Sequence, residues 1–260
     1  MYEEELAFAL ELAEEAGRIG MSFFRGSFDV REKADRSPVT EADLAIEAMI
    51  REEIRRRYPD DAVLGEESGL QGRAARRWIV DPIDGTRNFA DGIQIWATLI
   101  ALAVDEVPVL GVVSAPALGE RYAARRGGGA TLNGEPIRVS RADRLERAFV
   151  CYGEARDLLA TPYAEAFLEL LRGARRERGF GDFWSHMLVA RGSADLMLEP
   201  ELNTWDWAAV QVVVEEAGGR VSTFEGGQLR HGGSVLTTNG VLHDEVLARL
   251  AHARAAAERG

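Results

Sequence analysis

Two carboxylates, Asp81 and Asp84, stand close together in the run Trp78-Ile79-Val80-Asp81-Pro82-Ile83-Asp84-Gly85-Thr86-Arg87-Asn88-Phe89. The apolar residues before them read as a strand that delivers Asp81 to its end, because a residue preceding proline is held extended. Gly85 then allows backbone to approach a ligand closely. A helical turn opened by Thr86 would add its amide to a helix-terminus anion site. Carboxylates beside such a cradle suit a cation bridged to phosphate. Mg²⁺ takes oxygen ligands and is commonly held by one or two carboxylates plus substrate phosphate. Read by themselves, the same residues also make an Asp-Pro turn followed by an Asp-Gly turn.

Three other places supply acids. Leu64-Gly65-Glu66-Glu67-Ser68 sets adjacent carboxylates at the end of a short strand, a pattern shared with ordinary solvated loops. Trp205-Asp206-Trp207-Ala208-Ala209 places an Asp where a helix begins, the position of an N-cap. Thr40-Glu41-Ala42-Asp43 has the outline of a capping box.

Taken together with Glu215-Glu216-Ala217-Gly218-Gly219, and in this order, these motifs resemble the inositol monophosphatase superfamily of Mg²⁺-dependent, lithium-sensitive phosphatases over nearly the full length. The resemblance implies an α+β fold, a layered α-β-α-β-α sandwich, usually a homodimer, with two or three Mg²⁺ held between its halves. It implies Glu66, Asp81, Asp84 and Asp206 as metal ligands, joined by the carbonyl of Ile83. It implies Asp43 and Thr86 as the groups that orient and deprotonate the attacking water, with Glu67 in the catalytic set. Lys33, Asp84, Gly85, Thr86, Asn88, Asp182, Glu199 and Asp206 are the expected phosphate- and substrate-binding residues.

A phosphate monoester is a dianion, which clustered carboxylates repel unless cations invert the local field. The expected reaction is direct in-line attack by water, without a phosphoenzyme. Gly181-Asp182-Phe183, Leu198-Glu199-Pro200 and Trp96-Ala97-Thr98-Leu99-Ile100-Ala101-Leu102 resemble the histidinol-phosphatase branch. That implies histidinol phosphate as substrate, its ammonium and imidazole received by Asp182 and Glu199, with Asn203 a further candidate. Asp182 also reads as a helix N-cap. Inositol 1-phosphate and sugar phosphates such as fructose 1,6-bisphosphate are the alternative substrates, and a non-catalytic regulatory subunit is a remote one. A haloacid-dehalogenase scheme fits poorly, because the spacing here is Asp-x-x-Asp-Gly-Thr rather than Asp-x-Asp.

These side chains need elements that end at one place. Leu6, Leu10, Ala13, Ala16 and Phe23 predict a helix ending near Gly26. A second helix runs from beyond Thr40 to about Tyr58 with Ile46, Ile50 and Ile54 as its stripe, stopped by Pro59. Strands are expected at Ala62–Leu64, Trp78–Val80, Trp96–Val104, Val109–Ala115 and Arg121–Ala124, with a turn over Asp105 to Pro108. Asn133-Gly134 is a hairpin signal, and Gly127-Gly128-Gly129 reads as a flexible hairpin tip. Beyond about Ser140 come a strand at Ala148–Tyr152 and helices near Pro162–Leu171 and Phe183–Arg191. Val210, Val212 and Val214 alternate as in a strand, yet Gly218-Gly219 favours a helix over 206–217. A strand at Ser234–Thr238 and a helix from about Leu242 close the chain, which divides into halves 1–140 and 141–260.

Composition narrows the partners. With 260 residues, 46% apolar and 28% charged, the chain has core enough to exclude disorder. A net charge of −12 opposes nucleic acid and anionic membrane alike. The N-terminal Met1-Tyr2-Glu3-Glu4-Glu5 lacks the basic and apolar parts of a signal peptide, and the single Cys151 fits a reducing compartment, so a cytoplasmic location is expected. His186, His231, His243 and His252 have no paired spacing for zinc. The glycine patch lacks a dinucleotide fingerprint.

Overall fold

The computed structural model describes residues 1–26, 30–32 and 38–259. The chain begins with α1 (Glu3–Phe23), followed by β1 (Val30–Glu32) paired antiparallel with β2 (Pro38–Thr40). Next come α2 (Glu41–Arg57), β3 (Ala62–Gly65), β4 (Gly69–Gln71), β5 (Arg76–Asp84) and α3 (Thr86–Ala90). Five strands follow: β6 (Ala97–Val104), β7 (Val107–Ala115), β8 (Glu120–Arg125), β9 (Gly129–Leu132) and β10 (Glu135–Pro136). β11 (Phe149–Tyr152), α4 (Ala155–Leu159), α5 (Ala164–Gly173), β12 (Arg176–Arg178) and α6 (Asp182–Ala190) lead to β13 (Leu196–Leu202). α7 (Thr204–Glu216), β14 (Arg220–Ser222), β15 (Gly233–Thr238) and α8 (His243–Ala257) complete it.

The larger sheet has the order β10-β9-β8-β7-β6-β5-β3-β4, with only β3 and β5 parallel. The smaller is β12-β11-β13-β15-β14, with β11 parallel to both neighbours. Both faces of the larger sheet are covered, which is why β6 and β7 read as unbroken apolar runs. On one face Trp78, Val80, Ile100 and Leu102 pack under Phe8, Leu12, Ile46 and Ile50 of α1 and α2. On the other, Ile79, Leu99, Ala101 and Val113 meet α7 through Val210, Val213 and Val214, and α6 through Phe183 and Met187. Phe149, Cys151 and Met197 of the smaller sheet close over α6. That sheet's outer face, with Leu196, Leu198 and Leu236, lies under α5 and α8. The succession is helix, sheet, helix, sheet, helix: the α+β sandwich that the resemblance implies.

α7 is the central helix, and its sequence explains its seat. Ala208 and Ala209 are fully buried small residues, and Ala209 lies directly over Gly111 of β7, so helix and sheet backbones approach closely. Each buried valine of α7 contributes about 1.5–3 kcal/mol of transfer free energy. That burial helps offset the cost of the Asp206 carboxylate at the helix's first turn.

Several boundaries differ from expectation for local reasons. β5 does not stop at Asp81 but runs to Asp84, its pairing with β6 slipping between those residues. Pro82 has no N–H to give the ladder, and such irregularities re-aim side chains beside sites. The β6–β7 turn is centred on Asp105 and Glu106, both at positive φ (50° and 65°), so β7 starts at Val107. The Gly127–Gly129 tip, expected to be flexible, is pinned, because the amides of Gly127 and Gly129 each donate to the Glu216 carboxylate at 2.8 Å. α1 ends at Phe23 rather than near Gly26, as Phe24 turns to extended backbone. α4 has no counterpart in the expected elements. Among the described residues no helix is long and apolar enough to cross a membrane.

Candidate active site

The end of β5, the loop after β3 and the first turn of α7 converge between the two sheets. Asp81, Asp84 and Asp206 each present an oxygen, and these atoms lie within 4.8 Å of one another. They line a pocket of 190 Å³ together with Glu66, Ile83, Gly85, Thr86, Asp182 and Asn203. Asp81 is buried and its Oδ1 has no hydrogen-bond partner among the described residues. Burial first, then Glu66, Asp84 and Asp206, push its carboxyl well above the ordinary range. Asp84 accepts the Phe183 amide at 2.8 Å, but burial and the charges of Asp182 and Asp206 still hold it high. Burial raises Asp206 to about 7, opposed by the Asn203 amide, which donates to its Oδ2 at 2.7 Å. The N-cap of α7 is therefore Asn203, and Asp206 sits at the third position of the capping box rather than at the cap.

An unpartnered carboxylate oxygen buried among three other acids is costly unless a cation joins it. The donor set is all oxygen and tightly grouped, which fits Mg²⁺. A stability consequence follows. Carboxyls raised in the folded state bind more protons than in the unfolded chain, so the chelated protein loses stability as pH rises from the usual carboxylate range through about 7. Mg²⁺, which binds the ionised folded site, counteracts this loss. The expected result is a Mg²⁺-induced increase in Tm several degrees larger at pH 8 than at pH 5.5. Thermal melts with Mg²⁺ and with chelator measure it, and a pH-independent increment would contradict it.

Asp43 is fully buried at the start of α2. Its Oδ2 receives the Thr40 amide at 2.8 Å and the Thr40 hydroxyl at 2.5 Å, completing the expected capping box, while its Oδ1 has no hydrogen-bond partner among the described residues. Burial raises its carboxyl to about 6 against those hydrogen bonds, and the Glu66 charge adds to the rise. Thr86 opens α3 as expected, and Gly85, at φ 83°, supplies the left-handed N-cap. The Thr86 hydroxyl donates to the Ile83 carbonyl at 2.9 Å. The hydrogen bonds described for Asp43 thus go to Thr40, and those for Thr86 to Ile83.

Glu66, Gly85, Thr86, Asp182 and Leu202 are shared with a second, wider cavity of 960 Å³. Its walls carry Glu154, Asp157, Asp182, Glu199 and Glu201, against Arg87 as the cation among the described lining residues. Glu199 is 7% exposed, its carboxylate lying against the Cα of Gly153, where a side chain would collide with it. Burial, Asp182 and Asp206, in that order, push it well above the usual carboxylate range. Asp182 is not the N-cap of α6; Gly181 is. Asp182 instead takes a positive φ of 48° and accepts the Asn88 amide at 2.8 Å. Burial raises it to about 6, with Glu154 adding and Arg87 and Asn88 opposing.

Asn203 lines the smaller pocket. Glu67 lines neither cavity, and its main-chain amide donates to Glu47 at 2.8 Å. Lys33 lies outside the described residues. Glu154, just before α4, and Asp157, on it, reach the wide cavity without having been singled out in the sequence. The signal that could have marked them is their place just after the strand-ending Tyr152-Gly153, in Glu154-Ala155-Arg156-Asp157.

The buried Asp81 and Asp84 cluster with the half-buried Asp206 at the junction of two sheets, beside a threonine-opened helix, in an arrangement that could hold a metal ion. The chain matches the inositol monophosphatase family over residues 1–258 and belongs to it. It is 44% identical over 258 residues to the histidinol-phosphatase of Mycobacterium tuberculosis, covering 96% of this chain and 99% of that one. It is 41% identical to the histidinol-phosphatase of Streptomyces coelicolor, covering 96% and 97%. Among solved structures, a Thermotoga maritima IMPase superposes with a TM-score of 0.89 at 33% identity, over 98% of this chain and 99% of that one. The protein is accordingly a phosphoric monoester hydrolase of a Mg²⁺-dependent family, acting on small phosphate monoesters.

Proposed function

We propose that this phosphatase hydrolyses a monoester whose alcohol carries a cationic amine, histidinol phosphate above all. The observation that carries the reading is the wide acidic cavity beside the metal-suited pocket, with buried Glu199 and Asp182 in its wall. A polyol phosphate would not need so many negative charges around its hydroxyls, whereas an ammonium group offsets them. The relatives named histidinol-phosphatase support the same substrate.

Glu66, Asp81, Asp84 and the Ile83 carbonyl from the first half, with Asp206 from the second, would hold Mg²⁺. Four carboxylates balance the charge of two divalent ions, the substrate's phosphate dianion would balance a third, and Li⁺ would inhibit by competing for one position. When bound, the metal supplies Lewis-acid charge to the water and to the ester oxygens. Asp43 takes the proton of the attacking water on its Oδ1, and the Thr86 hydroxyl orients that water. The amides at Gly85 and Thr86, with Lys33 as the resemblance implies, would contact the phosphate oxygens, while Asn88, whose amide donates to the Ile95 carbonyl and to Asp182, holds Asp182 in place. The new P–O bond forms opposite the leaving oxygen, and no side chain is phosphorylated. Glu67 enters through its main chain, whose contact with Glu47 fixes the loop beside Glu66. Homodimerisation follows the resemblance, and the buried thiol of Cys151 suits a reducing cytoplasm.

Asp182→Asn and Glu199→Gln test the amine-binding role. Asparagine tolerates the positive φ at position 182, so the backbone is expected to hold. Losing one charge-assisted hydrogen bond of about 1.5–3 kcal/mol lowers kcat/KM for histidinol phosphate roughly 10- to 100-fold. Hydrolysis of p-nitrophenyl phosphate, which has no amine, should change about twofold or less. Equal losses on both substrates would remove the amine-binding role.

A further inference from the structure

The strongest unassigned feature lies one helical turn beyond Asp43. Glu47 is 1% exposed, on a face of α2 otherwise lined by Ile46, Ile50 and Ile54. A carboxylate there is costly unless paired and fully hydrogen-bonded. It is both. Its Oε2 accepts the Glu67 amide at 2.8 Å, and its Oε1 accepts the Ser68 amide at 2.9 Å and Arg51 Nε at 2.8 Å. The Arg51 guanidinium reaches on to the Gly69 carbonyl at 2.5 Å. On the other side of the loop, the Glu66 amide donates to the Val80 carbonyl at 3.2 Å. A Cβ on Gly65 would stand 2.5 Å from Glu47 Cδ, so the approach requires glycine.

We infer that Glu47, neutralised by Arg51, is a positioning residue that clamps the Gly65–Ser68 loop so that Glu66 is preorganised for the metal site. The inference rests on the reading of Glu66 as a metal ligand. Glu66 is anchored before its Cα by β5, the strand of Asp81, and after it by α2, the helix of Asp43. One buried ion pair thereby couples the metal-holding acid to the element that carries the base. A merely architectural staple between α2 and β4 would stabilise the fold without changing how tightly the site holds a cation.

The test is calorimetric titration of the chelator-treated full chain with Mg²⁺, alongside amide exchange at Glu67 and Ser68. Glu47→Gln keeps the shape but turns an NH₂ toward one of the two amides. Gly65→Ala displaces the Glu47 carboxylate without removing a charge. Each is expected to weaken Mg²⁺ binding about 10- to 100-fold, as loss of an outer-shell partner does. Each should also accelerate exchange at those amides and leave KM for p-nitrophenyl phosphate at saturating Mg²⁺ within about twofold of wild type. Glu66→Gln is the reference. If it binds Mg²⁺ like wild type, Glu66 is not a ligand and the underlying reading fails. If it weakens binding while Glu47→Gln and Gly65→Ala lower only Tm, the clamp is architectural and the inference is overturned. Should Glu47→Gln not fold, Gly65→Ala decides.

Discussion

Asp81→Asn is expected to lower kcat/KM by about 1,000-fold or more, beyond the 10- to 100-fold typical of outer-shell partners, while making the chelated protein more stable. The two effects have one origin. Asp81 is buried, its Oδ1 has no hydrogen-bond partner among the described residues, and Glu66, Asp84 and Asp206 all press its carboxyl toward the neutral form. In the absence of a cation that arrangement is repulsive, and a neutral isostere relieves it. In the presence of Mg²⁺ the same charge is what the ion requires. Steady-state assays and thermal melts with chelator read the two quantities on one preparation. A variant that loses activity and also melts lower without metal would point to Asp81 as a structural hydrogen-bonding residue instead.

Asp43→Asn is expected to reduce kcat by about 100- to 10,000-fold, the contribution of a positioned general base, with KM nearly unchanged. The capping role survives in part, since the amide oxygen can still receive the Thr40 amide that reaches Oδ2 in the wild type. The stability loss should stay near 1 kcal/mol. The pH profile separates base from structural acid. The carboxyl, raised to about 6 by burial, must be ionised to accept a proton, so activity falls as pH drops through that value. Mg²⁺ beside Glu66 offsets one of the charges that raise it, placing the acid limb at or below pH 6. The asparagine variant should lack that limb. Retention of an unchanged acid limb would assign it to another group.

The individual helices and strands were legible because their signals are local and strong, whereas their layering was implied only by the motif resemblance. The apolar runs of β6 and β7, the Ile46–Ile50–Ile54 stripe and the Asn133-Gly134 turn each carry a short-range cause. The helix at α7 could be separated from a strand only through Gly218-Gly219, because Val210, Val213, Val214 and Ala217 keep the helical period while Val210, Val212 and Val214 alternate. Less was legible where tertiary contact decides. Pro82 marks an interruption beside Asp81 but not that β5 resumes pairing at Asp84, and the Asp105-Glu106 turn uses positive φ without the usual Asn-Gly. Glu216 reaches across to pin a glycine tip remote in sequence. The metal-suited acids were found through motif resemblance, since each alone reads as a loop or cap. Glu47 offered one clue, a carboxylate beside Ile46 on the buried stripe of α2. What it holds lies twenty residues further along the chain, where no periodicity points.

Inorganic phosphate release from histidinol phosphate, inositol 1-phosphate and fructose 1,6-bisphosphate, with Mg²⁺ and with excess chelator, tests the central claim most directly. The expected result is the highest kcat/KM for histidinol phosphate and complete loss with chelator, restored by adding Mg²⁺ back. Faster hydrolysis of inositol 1-phosphate or of the bisphosphate would contradict the amine-directed substrate, and phosphate release that survives chelation would contradict the metal site itself.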